Sequence, residues 1–175
     1  YLACNGTSSA MATNSIDFTS TANMTVVTGV RKLSDAAQGI VSELSATSAT
    51  NNGAFTLSAP GGAAANFTYL SKGTTADTVT AATYTAPLSN VITGYSSISS
   101  SANAIRVNGV LSASDTNTQG TGTFGNYPLY LFARGGTSIW FNGQFYGAII
   151  AGATENANQI TQAESYMATK TGITF

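Results

Sequence analysis

The side chains best suited to chemistry in this sequence are aromatic rings with amide groups nearby, a combination that could bind a sugar. They are Trp140, Tyr127, Tyr130, Tyr146, Asn126 and Asn142. Aromatic rings present flat apolar surfaces, and amides both donate and accept hydrogen bonds. The alternative is that Trp140 packs inside the fold or at a subunit contact. Exposure of Trp140 beside Asn142 would favour sugar binding, whereas its burial would favour a structural role.

Residues for most hydrolytic mechanisms are missing. The sequence contains no histidine, which excludes Ser/His/Asp and Cys/His triads and histidine general acid–base catalysis. A glycosidase needs only two carboxylates. The glutamates Glu43, Glu155 and Glu164 do not form a strand motif that would direct carboxylates into one cleft, and the aspartates are isolated. Glu155 and Glu164 are predicted to serve the start and the solvent-facing side of a helix. We therefore expect a protein that is not an enzyme.

Charge is sparse, at 7% of residues with a formal net charge of −1. The six basic residues are scattered at Arg31, Lys32, Lys72, Arg106, Arg134 and Lys170. No basic stripe exists to neutralise a phosphate backbone, so we expect no nucleic-acid partner. No apolar run approaches the roughly 18 residues of a membrane span, so we expect no membrane insertion. Cys4 is the one cysteine, and it is interpreted as a small buried apolar residue.

The aromatic and amide side chains must be positioned by β-strands, because short apolar runs alternate with turn residues along most of the chain. Strands are predicted at residues 23–33, 39–46, 53–60, 65–73, 89–98, 104–113 and 127–136. The strand at 39–46 is expected to pair with the strand at 23–33. Residues 114–126 contain few apolar residues and are predicted to form a long surface loop.

Two Asn-Gly pairs predict tight hairpins, since Asn and Gly tolerate the positive φ angles of a two-residue turn. Asn108-Gly109 would place Val107 opposite Val110. Asn142-Gly143 would place Trp140 opposite Phe145, as a cross-strand aromatic pair.

One helix is predicted over residues 155–172, packing on the strand that precedes it. Asn156 is a suitable N-cap, and Gln159 three residues later completes a capping box. Ile160, Ala163 and Met167 form an apolar stripe at helical spacing. Gly172 is expected to end the helix.

Several segments resemble the concanavalin A-like, laminin-G-like jelly rolls. The C-terminal half of that family is matched by "RVNGVL" and by "YPLYLFARGGTSIWFNGQFYGAIIAGA", in which Phe141, Gly143, Phe145 and Ile149 fit the family's strand pattern. The closing helix is similar to one found in bacteriophage virion structural proteins. The matching positions are Gln159, Ile160, Ala163, Glu164, Tyr166, Met167, Lys170, Thr171 and Gly172.

The resemblance implies an all-β, two-sheet antiparallel jelly-roll sandwich with one short C-terminal helix. It implies one laminin-G-like domain over residues 1–175. Because the sequence begins with Tyr1 instead of Met, we expect this domain to be part of a longer chain. Calcium is the ion that this family commonly holds, and Asp115 and Asn117 are the candidate ligands, with Asp17 and Asp77 as further aspartates.

For function, the resemblance implies a non-enzymatic virion structural or surface domain, in a capsid decoration, a fibre or a tail. Its expected partners are other virion proteins or copies of itself, together with host-surface polysaccharide. The alternative is a stand-alone carbohydrate-binding or adhesion lectin domain. Either protein would lie on the virion surface or be extracellular. Because jelly rolls serve many functions, the fold alone does not decide between them.

Overall fold

Twelve β-strands and one helix make up the computed structural model, which describes all 175 residues, Tyr1–Phe175. The strands are β1 (Leu2–Asn5), β2 (Met11–Asp17), β3 (Asn23–Lys32), β4 (Ile40–Leu44), β5 (Ala54–Ser58), β6 (Asn66–Lys72), β7 (Ala76–Ala82), β8 (Leu88–Ser97), β9 (Ala102–Val107), β10 (Val110–Asp115), β11 (Asn126–Leu131) and β12 (Asn142–Ala151). The helix is α1 (Ala157–Thr171).

The strands form two antiparallel six-stranded sheets. Sheet A has the order β1-β12-β3-β8-β9-β10, and sheet B has the order β2-β11-β4-β5-β6-β7. A cluster of 22 buried apolar residues fills the space between them, including Phe55, Phe67, Tyr69, Ile92 and Phe141. The predicted jelly-roll sandwich with a short C-terminal helix is therefore confirmed.

Alternation along each strand decides which side chains enter this core. In β5, Phe55 and Leu57 point inwards, so Thr56 between them points to the outer face of sheet B. In β3, Met24 and Val26 point inwards, so Thr25 and Val27 face outwards from sheet A. The predicted pairing of 39–46 with 23–33 is wrong, because β4 lies in sheet B while β3 pairs with β12 and β8 in sheet A.

The helix covers the outer face of sheet A, where Met167 and Ala168 pack on Val27 and Val91. Its capping box is present: the Asn156 side chain accepts hydrogen bonds from the first turn, and the Gln159 side chain accepts one from the Asn156 N–H. Gly172 adopts the left-handed conformation that ends the helix. These predictions are confirmed. No helix in the structure is long and apolar enough to cross a membrane.

The two Asn-Gly pairs behave differently. Asn108-Gly109 forms the predicted turn, with Val107 opposite Val110. The hairpin predicted at Asn142-Gly143 is wrong: Gly143 is an extended residue of β12 and pairs with Cys4 on one side and Lys32 on the other. Its missing side chain allows close approach, since a Cβ there would lie 2.3 Å from the Arg31 carbonyl oxygen.

Three strands, β1, β2 and β7, are not among those predicted from the sequence. In β7, "ADTVTAA" carries only one large apolar residue. The 114–126 segment is not simply a surface loop: its start belongs to β10, and Phe124 is fully buried in the core.

Candidate functional site

A loop at one end of sheet B combines backbone strain, an aromatic residue and a positioned arginine. It starts at Phe132, directly after β11, and returns at Phe141, directly before β12. Both phenylalanines are buried in the core, and the Phe141 N–H donates a hydrogen bond of 2.8 Å to the Phe132 carbonyl oxygen. We call residues 132–141 the Arg134 loop.

Four residues of the Arg134 loop have positive φ: Phe132 (69°), Gly135 (56°), Gly136 (75°) and Ile139 (52°). Glycine adopts this conformation freely, but a β-branched isoleucine is rarely found there. Non-glycine residues at positive φ, here Phe132 and Ile139, cost on the order of 1–3 kcal/mol each and concentrate at functional sites. The strain identifies the loop as a candidate site, and its chemistry depends on the side chains that it presents.

Arg134 is anchored to a buried carboxylate on the outer face of sheet B. The Nε of Arg134 lies 3.3 Å from both carboxylate oxygens of Glu43. Glu43 is fully buried and also accepts hydrogen bonds from the Ser48 N–H at 2.8 Å and the Thr56 hydroxyl at 3.2 Å. The Arg134 side chain is 24% exposed, and its terminal amino groups make no hydrogen bond within the chain. Two donors of a fixed guanidinium are therefore available to a ligand.

Tyr130 extends the same face. It pairs with Glu43 across strands β11 and β4, so both side chains lie on the outer side of sheet B. The Arg134 loop leans over its ring, since a Cβ on Gly136 would lie 3.8 Å from it. Beyond Glu43 the same cross-strand row continues through Thr56, Leu70 and Thr78.

Trp140 and Asn142 lie at one end of the sandwich. Trp140 forms a parallel bridge with Ile40 and is partly exposed, whereas Asn142 is exposed and Phe141 between them is buried. Both side chains are therefore directed away from the core. Asn142 packs against the N-terminal turn, since a Cβ on Gly6 would lie 2.9 Å from its own Cβ.

The other sugar-binding candidates are elsewhere. Asn126 and Tyr127 begin β11, at the end of the sandwich opposite Trp140, and the Tyr127 hydroxyl donates to the Asn52 carbonyl oxygen at 3.1 Å. Tyr146 lies on sheet A, where its ring packs on Tyr1 with centroids 5.7 Å apart. The structure thus distributes the six predicted residues over four places: Trp140 with Asn142, Asn126 with Tyr127, Tyr130 beside Glu43, and Tyr146 on sheet A.

The candidate calcium ligands Asp115 and Asn117 offer few oxygen atoms for binding an ion. Asp115 accepts a hydrogen bond from the Asn117 N–H, which uses one carboxylate oxygen to cap a turn. No group of three or more His, Cys, Asp or Glu side chains occurs in the structure. Calcium prefers six to eight oxygen ligands, so these two residues do not fit a calcium site by themselves.

Two other charged clusters stabilise the fold. Lys32 is fully buried and pairs with Asp35 at 2.5 Å. Burial alone would raise the pKa of Asp35, but hydrogen bonds from Lys32 and the Ala86 N–H outweigh it and lower that pKa. Glu164, predicted to face solvent, is buried and bound by Arg106, so this prediction is wrong. Because Glu164 and Glu43 lie outside opposite sheets, they are not a catalytic carboxylate pair.

The residues of the Arg134–Glu43 cluster are largely missed by reasoning from the sequence. Arg134 and Glu43 are 91 residues apart, and nothing local connects them. The one signal is a glutamate within the apolar strand "GIVSELSA" together with an arginine followed by two glycines.

Solved structures similar to this chain share its fold at low sequence identity. The CBM40 domain of Ruminococcus gnavus IT-sialidase, solved with alpha2,3 sialyllactose, has a TM-score of 0.64 and 15% identity over 88% of this chain and 98% of that one. A heptameric SAP-like pentraxin from Limulus polyphemus has a TM-score of 0.67 and 10% identity, over 91% and 78%. A structure of botulinum neurotoxin type C, whose cell entry depends on interaction with two ganglioside molecules, has a TM-score of 0.58 and 11% identity, over 83% and 36%.

These similarities establish the concanavalin A-like jelly-roll fold. No protein-family model matches the chain. No curated protein matches it either.

Proposed function

We propose that this protein is a non-enzymatic glycan-binding domain whose sugar contacts come from the Arg134 loop. The observation that carries the proposal is the fixed guanidinium of Arg134, with its Nε held by buried Glu43 and its terminal amino groups free. Two parallel donors suit the carboxylate of an acidic sugar or a pair of sugar hydroxyls. Tyr130, which pairs with Glu43 on the same face, provides aromatic surface beside these donors. Trp140 provides a second aromatic ring on the same loop.

The similar structures support the same proposal. The CBM40 domain binds sialyllactose, and the botulinum neurotoxin interacts with gangliosides. Both ligands are acidic glycans, which a free guanidinium fork would recognise. An extracellular location follows from this proposal, because such glycans are displayed on cell surfaces.

The experiment is a direct binding titration of alpha2,3 sialyllactose and neutral lactose, followed by a panel of bacterial-envelope polysaccharides. Arg134→Lys keeps the charge beside Glu43 but removes the planar fork. Loss of a charge-assisted hydrogen bond of about 1.5–3 kcal/mol predicts at least about tenfold weaker binding. Trp140→Ala should also weaken binding. Arg31→Lys, on an exposed arginine of β3, is the matched control and should have no effect.

Two results would contradict the proposal. One is a folded wild-type domain that binds none of these glycans. The other is glycan binding that Arg134→Lys leaves unchanged, since the ligand would then lie elsewhere on the surface.

A role in assembly is the second candidate, and it includes the virion structural function expected from the sequence. None of the similar structures named above is a virion protein, so the virion role stays a prediction. Assembly with copies of the chain is favoured by exposed apolar side chains on three sheet-edge strands: Leu2 on β1, Met11 on β2, and Val110 and Leu111 on β10. Light scattering across a concentration series tests it, and a strictly monomeric protein would contradict self-assembly.

A further inference from the structure

A cavity of about 340 Å³ lies between α1 and the outer face of sheet A, on the opposite side of the sandwich from the Arg134–Glu43 cluster. Its floor consists of outward-facing residues on two paired strands, Thr25 and Val27 on β3 and Ile149 and Ala151 on β12. This volume is within the range of small-molecule sites, roughly 300–1,000 Å³.

The helix provides the opposite wall, through Ile160, Ala163 and Tyr166. Ala163 faces a floor that includes the equally short Ala151, so the helix does not fill the space above the sheet. Tyr166 is 53% exposed and Ile149 is 38% exposed, so the apolar lining reaches solvent at the rim. A ligand with an apolar body could enter here without displacing the helix.

Glu155 is the one charged residue in the lining. Its backbone N–H donates to the Thr25 hydroxyl at 3.4 Å, which ties the residue to the cavity floor. Its carboxylate is in no ion pair and accepts no hydrogen bond from the chain. The N–H groups of the first helical turn do not donate to this carboxylate, because those of Asn158 and Gln159 donate instead to the Asn156 side chain. A negative charge with no hydrogen-bond or ion-pair partner in the chain thus borders an apolar cavity.

We propose that this cavity binds a small organic cation with an apolar body, such as an aryl- or alkylammonium compound. The apolar body would lie between Ile149 and Ile160, and the ammonium group would pair with Glu155. This site is independent of glycan binding by the Arg134 loop.

The test compares three probes of similar shape on the isotope-labelled protein at low salt: 2-phenylethylammonium, neutral 2-phenylethanol and anionic 3-phenylpropanoate. Amide chemical shifts report both affinity and location. The cation should bind about fivefold more tightly than the alcohol, the upper end for a partly exposed ion pair, and the anion most weakly. The shifts should map to residues 25–27, 149–151 and 155–166.

Three variants complete the design. Glu155→Gln should reduce the affinity for the cation to that for the alcohol. Asp115→Asn removes the same charge from β10, three strands away from β3 in sheet A, and should change nothing. Ala163→Leu should fill the cavity and abolish binding of both the cation and the alcohol. Absence of binding, equal affinities for cation and anion, shifts elsewhere, or an unchanged cation affinity in Glu155→Gln would overturn the proposal.

Discussion

Replacing Arg106 by methionine should destabilise the protein substantially, because it leaves a buried carboxylate with too few partners. Arg106 donates to both oxygens of Glu164, at 2.8 Å and 3.0 Å, and Thr93 donates a third hydrogen bond at 2.9 Å. The Glu164 side chain is only 2% exposed. After Arg106→Met, the Thr93 hydroxyl is the one donor left to that charge.

The magnitude follows from this geometry. Removing one member of a buried ion pair costs about 3–5 kcal/mol. Arg106 is 22% exposed, so water reaches the vacated position and reduces the expected loss to about 2–3 kcal/mol. With a urea m-value of about 2 kcal/mol per molar, the unfolding midpoint should fall by roughly 1–1.5 M.

The assay is urea unfolding followed by circular dichroism, with Arg31→Met as the control on an exposed arginine, expected to change stability by less than about 0.5 kcal/mol. The double variant Arg106→Met, Glu164→Met should recover most of the loss, because both charges are gone. The reasoning would be refuted if Arg106→Met cost no more than Arg31→Met, or if the double variant were less stable than Arg106→Met alone.

Two further predictions test the core. Gly94→Ala should lower the free energy of unfolding in urea by about 1–3 kcal/mol, since its Cβ would lie 2.3 Å from the buried ring of Tyr69. Gly62→Ala is the control and should be near neutral, because no atom lies within 4 Å of its Cβ. Equal losses of stability in the two variants would contradict this prediction. Burial raises the pKa of Cys4 to about 11 from 9.0, so its thiolate fraction at pH 8 should fall about a hundredfold. Native Cys4 should therefore resist alkylation until urea unfolds the protein, and rapid alkylation in the native state would disprove its burial.

Features that depend on neighbouring residues were predictable from the sequence. The capping box of α1 needs only Asn156 and Gln159, three positions apart, and the Asn108-Gly109 turn needs only its flanking valines. The alternation of apolar and polar side chains identified most strands, because one face of each sheet is buried and successive residues point to opposite faces. β7 was not predictable in this way, since alanine and threonine differ little in size and hydrophobicity and give only a weak alternation.

Features that depend on distant chain segments were not predictable. The same Asn-Gly dipeptide begins a paired strand at residue 142, because β1 and β3 enclose it. Glu164 lies four residues after Ile160 and three before Met167, which places it on the buried side of α1. The partners that accommodate its charge there, Arg106 and Thr93, come from sheet A and are distant in sequence. Likewise, Tyr127, Trp140 and Tyr146 look alike as candidates in the sequence. The strand order places them at opposite ends of the sandwich and on different sheets. Arg134 is held in place only by a glutamate on another strand.

The closure of the Arg134 loop has a consequence for how this protein could diversify. Since Phe132 and Phe141 meet through a hydrogen bond and are both anchored in the core, the segment between them begins and ends at nearly the same point. Doubling the length of such a segment costs only about 0.6 kcal/mol in closure entropy. The sandwich could therefore accept exchanged or longer inserts here without altering strand register, and the proposed glycan specificity could be changed by grafting one continuous peptide.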